Sequence, residues 1–234
     1  MGQFLHEFFN PLDFLRATPQ VWSGFVFNLR LMVVAEALVL VLALLVAIVR
    51  GLPGRAAMPF RGLAILYTDF FRGTPLILVL LIVEGFATLN YFGLSSGTLF
   101  LNGLIALVLV YTAYVTEVYR AGIESVHPSQ RMAARSLGLS YMQTMRYVVL
   151  PQAIRRVVPP LLNDFVGLQK DTALVTIIGL VEAVAQAGQY SSDYLNDTGL
   201  MVAAVFFILL TIPLARFTDH IIRQRERRER AQVV

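Results

Sequence analysis

Cysteine is absent from all 234 residues, which excludes disulfides, thiolate metal sites and cysteine nucleophiles. Charge is scarce as well: 15% of the residues are Asp, Glu, Lys or Arg, against about 25% in soluble domains. Lysine occurs once, at Lys170, in an apolar stretch that lacks the glycines of a phosphate-binding G-x-x-x-x-G-K-[ST] loop. The three histidines (His6, His127 and His220) lie far apart, and no H-E-x-x-H, nucleophile elbow or metal-spaced carboxylate pair occurs. The expectation is therefore no metal, no cofactor and no catalytic centre in this chain. What is present is apolar: 57% of the residues are hydrophobic and the mean hydropathy is +0.67.

Five apolar stretches are long enough to cross a hydrocarbon core of about 30 Å. They run over about 25–49, 63–89, 99–121, 157–183 and 199–222, the second interrupted at Arg72-Gly73-Thr74-Pro75. Residues 1–20 do not read as a signal peptide, having no basic start and no clean apolar run. Phe4, Leu5, Phe8, Phe9, Leu12 and Leu15 recur at helical spacing, so this segment reads as a short helix on the membrane surface or packed on its own bundle. Basic residues mark one side of the membrane. Arg50, Arg55 and Arg61 follow the first span, Arg131, Arg135, Arg146, Arg155 and Arg156 follow the third, and the tail reads RQRERRER over 223–230. The stretches 85–98 and 184–198 contain neither lysine nor arginine. The positive-inside rule then places the N-terminus outside and both the 122–156 segment and the C-terminus in the cytoplasm. The same distribution, confined to loops and tail, is not a nucleic-acid footprint, although lipid headgroups can meet the tail.

The cytoplasmic segment 122–156 carries helix signals. Pro128 and Ser129 suit a helix start, Gly138 a stop, and Ser140 a second start, with that second helix expected to end at Pro151. The expectation is a helix-turn-helix below the membrane. The small residues Ala133 and Ala134 lie where a partner surface could approach closely.

The run Met132-Ala133-Ala134, Gly138 and Leu150-Pro151 resembles the coupling loop of permeases of ATP-binding-cassette importers. Its flanks are similar to the polar amino-acid (histidine/glutamine-type) branch of that family: Phe71-Arg72-Gly73-Thr74-Pro75, Tyr111-Thr112-Ala113-Tyr114, Glu117, Tyr119-Arg120, Leu137-Gly138-Leu139-Ser140, Pro160, Asn163 and Lys170-Asp171-Thr172. The resemblance covers about residues 25–220 and implies an all-α integral membrane protein with five transmembrane helices and a cytoplasmic coupling helix-turn-helix, the type I importer architecture. It divides the chain into an N-terminal segment 1–24, a permease domain 25–222 and a basic tail 223–234. It implies a prokaryotic plasma (inner) membrane and two such subunits, identical or paralogous. It further implies ATPase partners that bind ATP and magnesium, and an extracytoplasmic solute-binding protein that delivers an amino acid. The coupling surface would comprise Ser129, Arg131, Met132, Ala133, Ala134, Arg135, Leu137, Gly138, Leu150 and Pro151. Met132 stands where the family has glutamate and Ser129 where it has glycine. With Met132 three residues after Ser129, a capping box starting at Ser129 is lost.

Ionisable residues inside spans face a cavity or a partner. Asp164, Lys170, Asp171, Thr172 and Glu117 are the candidates for the substrate path, with Asp164 first because it lies seven residues before Asp171, on the same helical face. Pro159, Pro160 and Gly167 loosen the same helix. The rival for Lys170 and Asp171 is a purely structural pairing between helices. Rival functions are the same machine carrying an opine or oligopeptide, an ion-driven secondary carrier, and an accessory membrane scaffold.

Overall fold

The structure, a computed structural model, describes residues 7–52, 54–89 and 99–231, with side chains to residue 224. Expectations for Phe4, Leu5 and His6, for the 90–98 part of the outer stretch, for residues 232–234 and for the tail side chains from 225 on lie outside the described residues. The described residues form helices and no strands: α1 (Pro11–Gly51), α2 (Met58–Gly73), α3 (Leu76–Thr88), α4 (Leu99–Glu124), α5 (Pro128–Ser136), α6 (Tyr141–Thr144) and a π turn (Met145–Val149). They continue as α7 (Leu150–Asp171), a 3-10 helix (Thr172–Ile178), α8 (Ala183–Tyr194) and α9 (Thr198–Ala231). By length and composition, three helices can cross a membrane, or up to five if two bent helix pairs each count as one span. The interruption expected in the second stretch falls at Thr74 and Pro75, between α2 and α3.

Helix α1 is longer than the first apolar stretch. Pro11 opens it, Asn10 Oδ1 accepts a hydrogen bond from Leu12 N at 3.0 Å, and Asp13 and Arg50 complement the dipole at its two ends. Its 41 residues extend for about 60 Å at 1.5 Å per residue. Residues 11–24 thus continue the first span without a break, and residues 184–194, expected as outer loop, belong to α8.

The structure divides into two compact units. The first comprises the chain up to Leu38, Thr74–Val110 and Val166–Arg216. Here Ala17, Val21 and Phe25 of α1 pack on Ala183, Ala187 and Tyr190 of α8 and on Val202 and Ala203 of α9. Phe25 also meets the rings of Trp22, Phe206 and Phe207. Close approach is possible because residue 24 is glycine: a Cβ there would sit 2.5 Å from the Glu182 carbonyl carbon. Glu182, wholly buried, caps α8 by accepting hydrogen bonds from Val184 N and Ala185 N at 2.9 Å. Asn28 completes the joint. Its Nδ2 donates to Glu182 Oε2 at 3.0 Å and to Thr172 Oγ1 at 3.2 Å, and its Oδ1 accepts from Ala183 N at 3.0 Å. In the 3-10 helix, Thr172, Val175 and Ile178 are buried, as a three-residue repeat places them on one side.

The second unit comprises Val39–Gly73, Tyr111–Phe165 and the chain from Phe217 on. Helices α4 and α7 meet at Gly122, where an added Cβ would overlap the Val157 side chain. The hydroxyls of Thr116 and Tyr119 on α4 both donate to carbonyls of α1, those of Ala43 and Leu40, at 3.4 Å.

Two measurements test these joints. Gly24→Ala should destabilise the protein by about 1–3 kcal/mol through overpacking, whereas Gly188→Ala, in α8 with nothing within 4 Å, should be neutral or stabilising by up to about 1 kcal/mol. Unfolding midpoints of the two variants in one detergent give the comparison. Glu182→Ala strips Asn28 and two helix amides of their acceptor, at about 1–3 kcal/mol each. Loss of the folded fraction in size-exclusion chromatography is the expected result.

Candidate functional site

The helix-turn-helix forms in the second unit, with its signals partly reassigned. His127, rather than Ser129, caps α5: its Nδ1 accepts from Ser129 N at 3.2 Å, and Pro128 takes the first helical position. The capping-box partner of position 127 is thus residue 130, so Met132 costs no capping box. Gly138 stops α5 in the left-handed region at φ +84°. Ser140 then starts α6 in a full capping box with Gln143: Ser140 Oγ accepts from Gln143 N at 3.2 Å, and Gln143 Oε1 accepts from Ser140 N at 2.8 Å.

Pro151 does not end the hairpin. Proline in a regular helix clashes with the carbonyl four residues earlier and leaves it without a donor. Here the preceding turn is widened into a π turn, with Leu150 N donating to Met145 O five residues back, and the chain enters α7 without a stop. Val126, Val149 and Ala153 form the hairpin's own small core, with Ile123 and Met145 against it.

Ala134 is buried within the hairpin, whereas Ser129, Met132, Ala133, Leu137, Gly138, Leu150 and Pro151 are exposed. Leu137 is 83% and Met132 62% exposed, and Tyr141, Met142 and Tyr147 extend the same apolar display. The arginines have internal duties. Arg131 donates to Ile123 O at 2.7 Å and ties α5 to the end of α4, and Arg135 donates to Leu139 O at 3.1 Å across the turn.

In the same unit, Arg72 of α2, Tyr114, Glu117, Val118, Ala121 and Gly122 of α4, Ser125 beyond it, and Arg156, Pro160 and Asp164 of α7 line an open cavity of about 450 Å³. Two of the sequence candidates, Glu117 and Asp164, meet here. Their surroundings differ. Glu117 pairs through Oε1 with Arg50 Nη1, and its Oε2 accepts from Arg120 Nε and Nη2 at 2.9 and 2.7 Å, with Arg72 Nη1 4.0 Å away. Arg50 also donates to the buried Thr68 Oγ1 at 2.9 Å, and Arg120 also pairs with Glu124. Asp164, by contrast, has an enclosed Oδ2 with no hydrogen-bond partner. Arg156 donates to Ser125 O, and Tyr114 Oη donates to Arg72 O at 3.4 Å.

Lys170, Asp171 and Thr172 belong to the first unit and are not among the residues lining this cavity. Lys170 is exposed, while Thr172 is fully buried and its hydroxyl donates to Gln169 O at 2.7 Å as well as accepting from Asn28. Sequence reasoning missed Arg50, which counted only as a topology charge, along with Arg156 and Tyr114 as cavity walls. No periodicity within one segment links Arg50 to Glu117, 67 positions away.

Residues 9–228 match the family model described as the binding-protein-dependent transport system inner membrane component. The chain is 34% identical over 210 residues to the probable glutamine ABC transporter permease protein GlnM of Bacillus subtilis, covering 88% of this chain and 93% of that one. It is equally identical over the same length to the arginine transport system permease protein ArtQ of Bacillus subtilis, covering 87% and 92%. Among solved structures, a crystal structure of an amino acid ABC transporter with histidines superposes with a TM-score of 0.83 at 30% identity, covering 92% of this chain and 98% of that one. An inward-facing MetNI methionine ABC transporter shares the fold, with a TM-score of 0.70 at 20% identity, covering 87% and 95%. With an all-helical architecture, membrane-length helices and a family match over nearly its whole length, the chain belongs to the inner membrane components of binding-protein-dependent transport systems.

Proposed function

We propose that the chain is the permease subunit of an amino-acid importer, and that the cavity around Asp164 is part of the substrate's path. The Asp164 carboxylate, on the cavity with its Oδ2 left without a donor, carries this reading. A buried acceptor without a donor is costly inside apolar surroundings, and an amino acid's ammonium group supplies that donor. The arginines on the same cavity offer its carboxylate a partner. The relatives named for glutamine and arginine support the substrate class. Glu117, with both oxygens engaged, holds Arg50 and Arg120 in place and keeps Arg72 close. Thr172 serves the joint with Asn28, and Lys170 and Asp171 are assigned to the structure of their helix rather than to substrate.

Energy enters from a separate ATPase that binds ATP and magnesium and docks on the 129–151 hairpin. Its exposed Met132, Leu137, Tyr141 and Met142 suit an apolar groove. The buried hairpin core, which includes Val149 and Ala153 at the head of α7, passes the displacement to the cavity wall. A second permease, identical or paralogous, and an extracytoplasmic binding protein complete the machine. The arginine distribution supports an N-terminus outside and a C-terminus in the cytoplasm.

Reconstitution with the co-purifying ATPase and binding protein in proteoliposomes tests the path: Asp164→Asn should lower ATP-driven amino-acid uptake at least about tenfold, the worth of a charge-assisted hydrogen bond, while the ATPase still co-purifies. Unaltered uptake kinetics would take Asp164 off the path. Leu137→Asp tests the docking face. It should weaken ATPase association about fivefold or more, as loss of a buried apolar anchor does, and a pull-down with unchanged ATPase recovery would move the docking site elsewhere.

A further inference from the structure

The charges around the cavity also bear on the side chain of the amino acid, an inference that rests on the cavity being the substrate path. Four charged residues line it: Arg72, Glu117, Arg156 and Asp164. Glu117 is already shared among cations, since Arg50 and Arg120 both pair with it, and their two positive charges outweigh its one negative. Glu124, nearby on α4, is exposed and already paired with Arg120. Arg72 has only the distant edge of Glu117 at 4.0 Å, and Arg156 is held by the neutral carbonyl of Ser125, which does not cancel its charge. Two guanidinium groups therefore face one carboxylate, Asp164, whose buried Oδ2 has no hydrogen-bond partner.

Every α-amino acid brings one ammonium and one carboxylate. The ammonium uses Asp164, and the carboxylate uses one of the two arginines. A second cation on the side chain would then find no anion on the wall that is not already paired with arginine, and would lie among like charges. An uncharged side chain meets Tyr114, Val118 and Pro160 without penalty, and an acidic one meets the remaining arginine. We propose that this permease is built for amino acids whose side chain carries no positive charge, and that its cavity rejects arginine and lysine.

The test is isothermal titration of each of the twenty amino acids into the purified permease–ATPase complex without its binding protein, at pH 8, where histidine is uncharged. The expected result is that the tightest ligand is neutral or acidic, with lysine and arginine at least about tenfold weaker, the equivalent of about 1.4 kcal/mol. Lysine or arginine binding within tenfold of the tightest ligand, or tighter than all others, overturns the charge rule while leaving the amino-acid path standing. Binding that survives Asp164→Asn unchanged places the ligand outside this cavity and overturns the rule. The absence of binding by any of the twenty removes the path itself, and the rule falls with it.

Discussion

A carboxylate taken into an apolar helix bundle must be met by cations or hydrogen-bond donors, because leaving it bare costs several kcal/mol. Each unit contains one group that settles this in its own way. Glu182 is answered by neutral donors: the amides at the start of α8 and the Asn28 side chain. That answer fixes the distance between α1 and the turn before α8, and it is why glycine stands at position 24, where the two backbones touch. Glu117 is answered by charge, with guanidinium groups drawn from α1 and α4. Arg50 is thereby pulled inward, with its side chain only 13% exposed, and the end of α1 is pinned to α4. Asp164 is the group left with a buried oxygen that no donor answers, and it sits on a cavity wall.

Much of this was legible beforehand, for reasons that differ from element to element. Apolar runs and arginine placement report on local composition, so the second span's break at Thr74 and Pro75 and the helix-turn-helix with its stop at Gly138 were readable residue by residue. Asp164 was singled out for sharing a helical face with Asp171, yet only Asp164 lines the cavity. Boundaries set by long-range packing were not legible. The run from Pro11 into the first span becomes one helix because Ala17 and Val21 have a surface on α8 and α9 to lie against, and no local signal announces that surface. The cap at His127 was missed because Ser129 is the stronger intrinsic cap, yet Pro128 fits best at the first helical position and so pushes the cap one residue upstream of itself. Glu117 lines the cavity, but its engagement by Arg50 depends on a contact between distant segments. Pro151 was read as a terminator because the rule assumes a regular helix on its N-terminal side.

The π turn before Pro151 holds one residue more than a regular turn would. Insertions and deletions of a single residue in a helix ordinarily rotate everything beyond them by about 100°. At Met145–Val149, a single-residue deletion could be absorbed by a change between π and α winding, without disturbing α7. The cost would fall on the turn itself, because regular α winding there brings Pro151 against the carbonyl four residues earlier. The same short stretch that lets a proline pass therefore also lets the chain lose one residue while the hairpin keeps its aim relative to the cavity wall from Arg156 to Asp164.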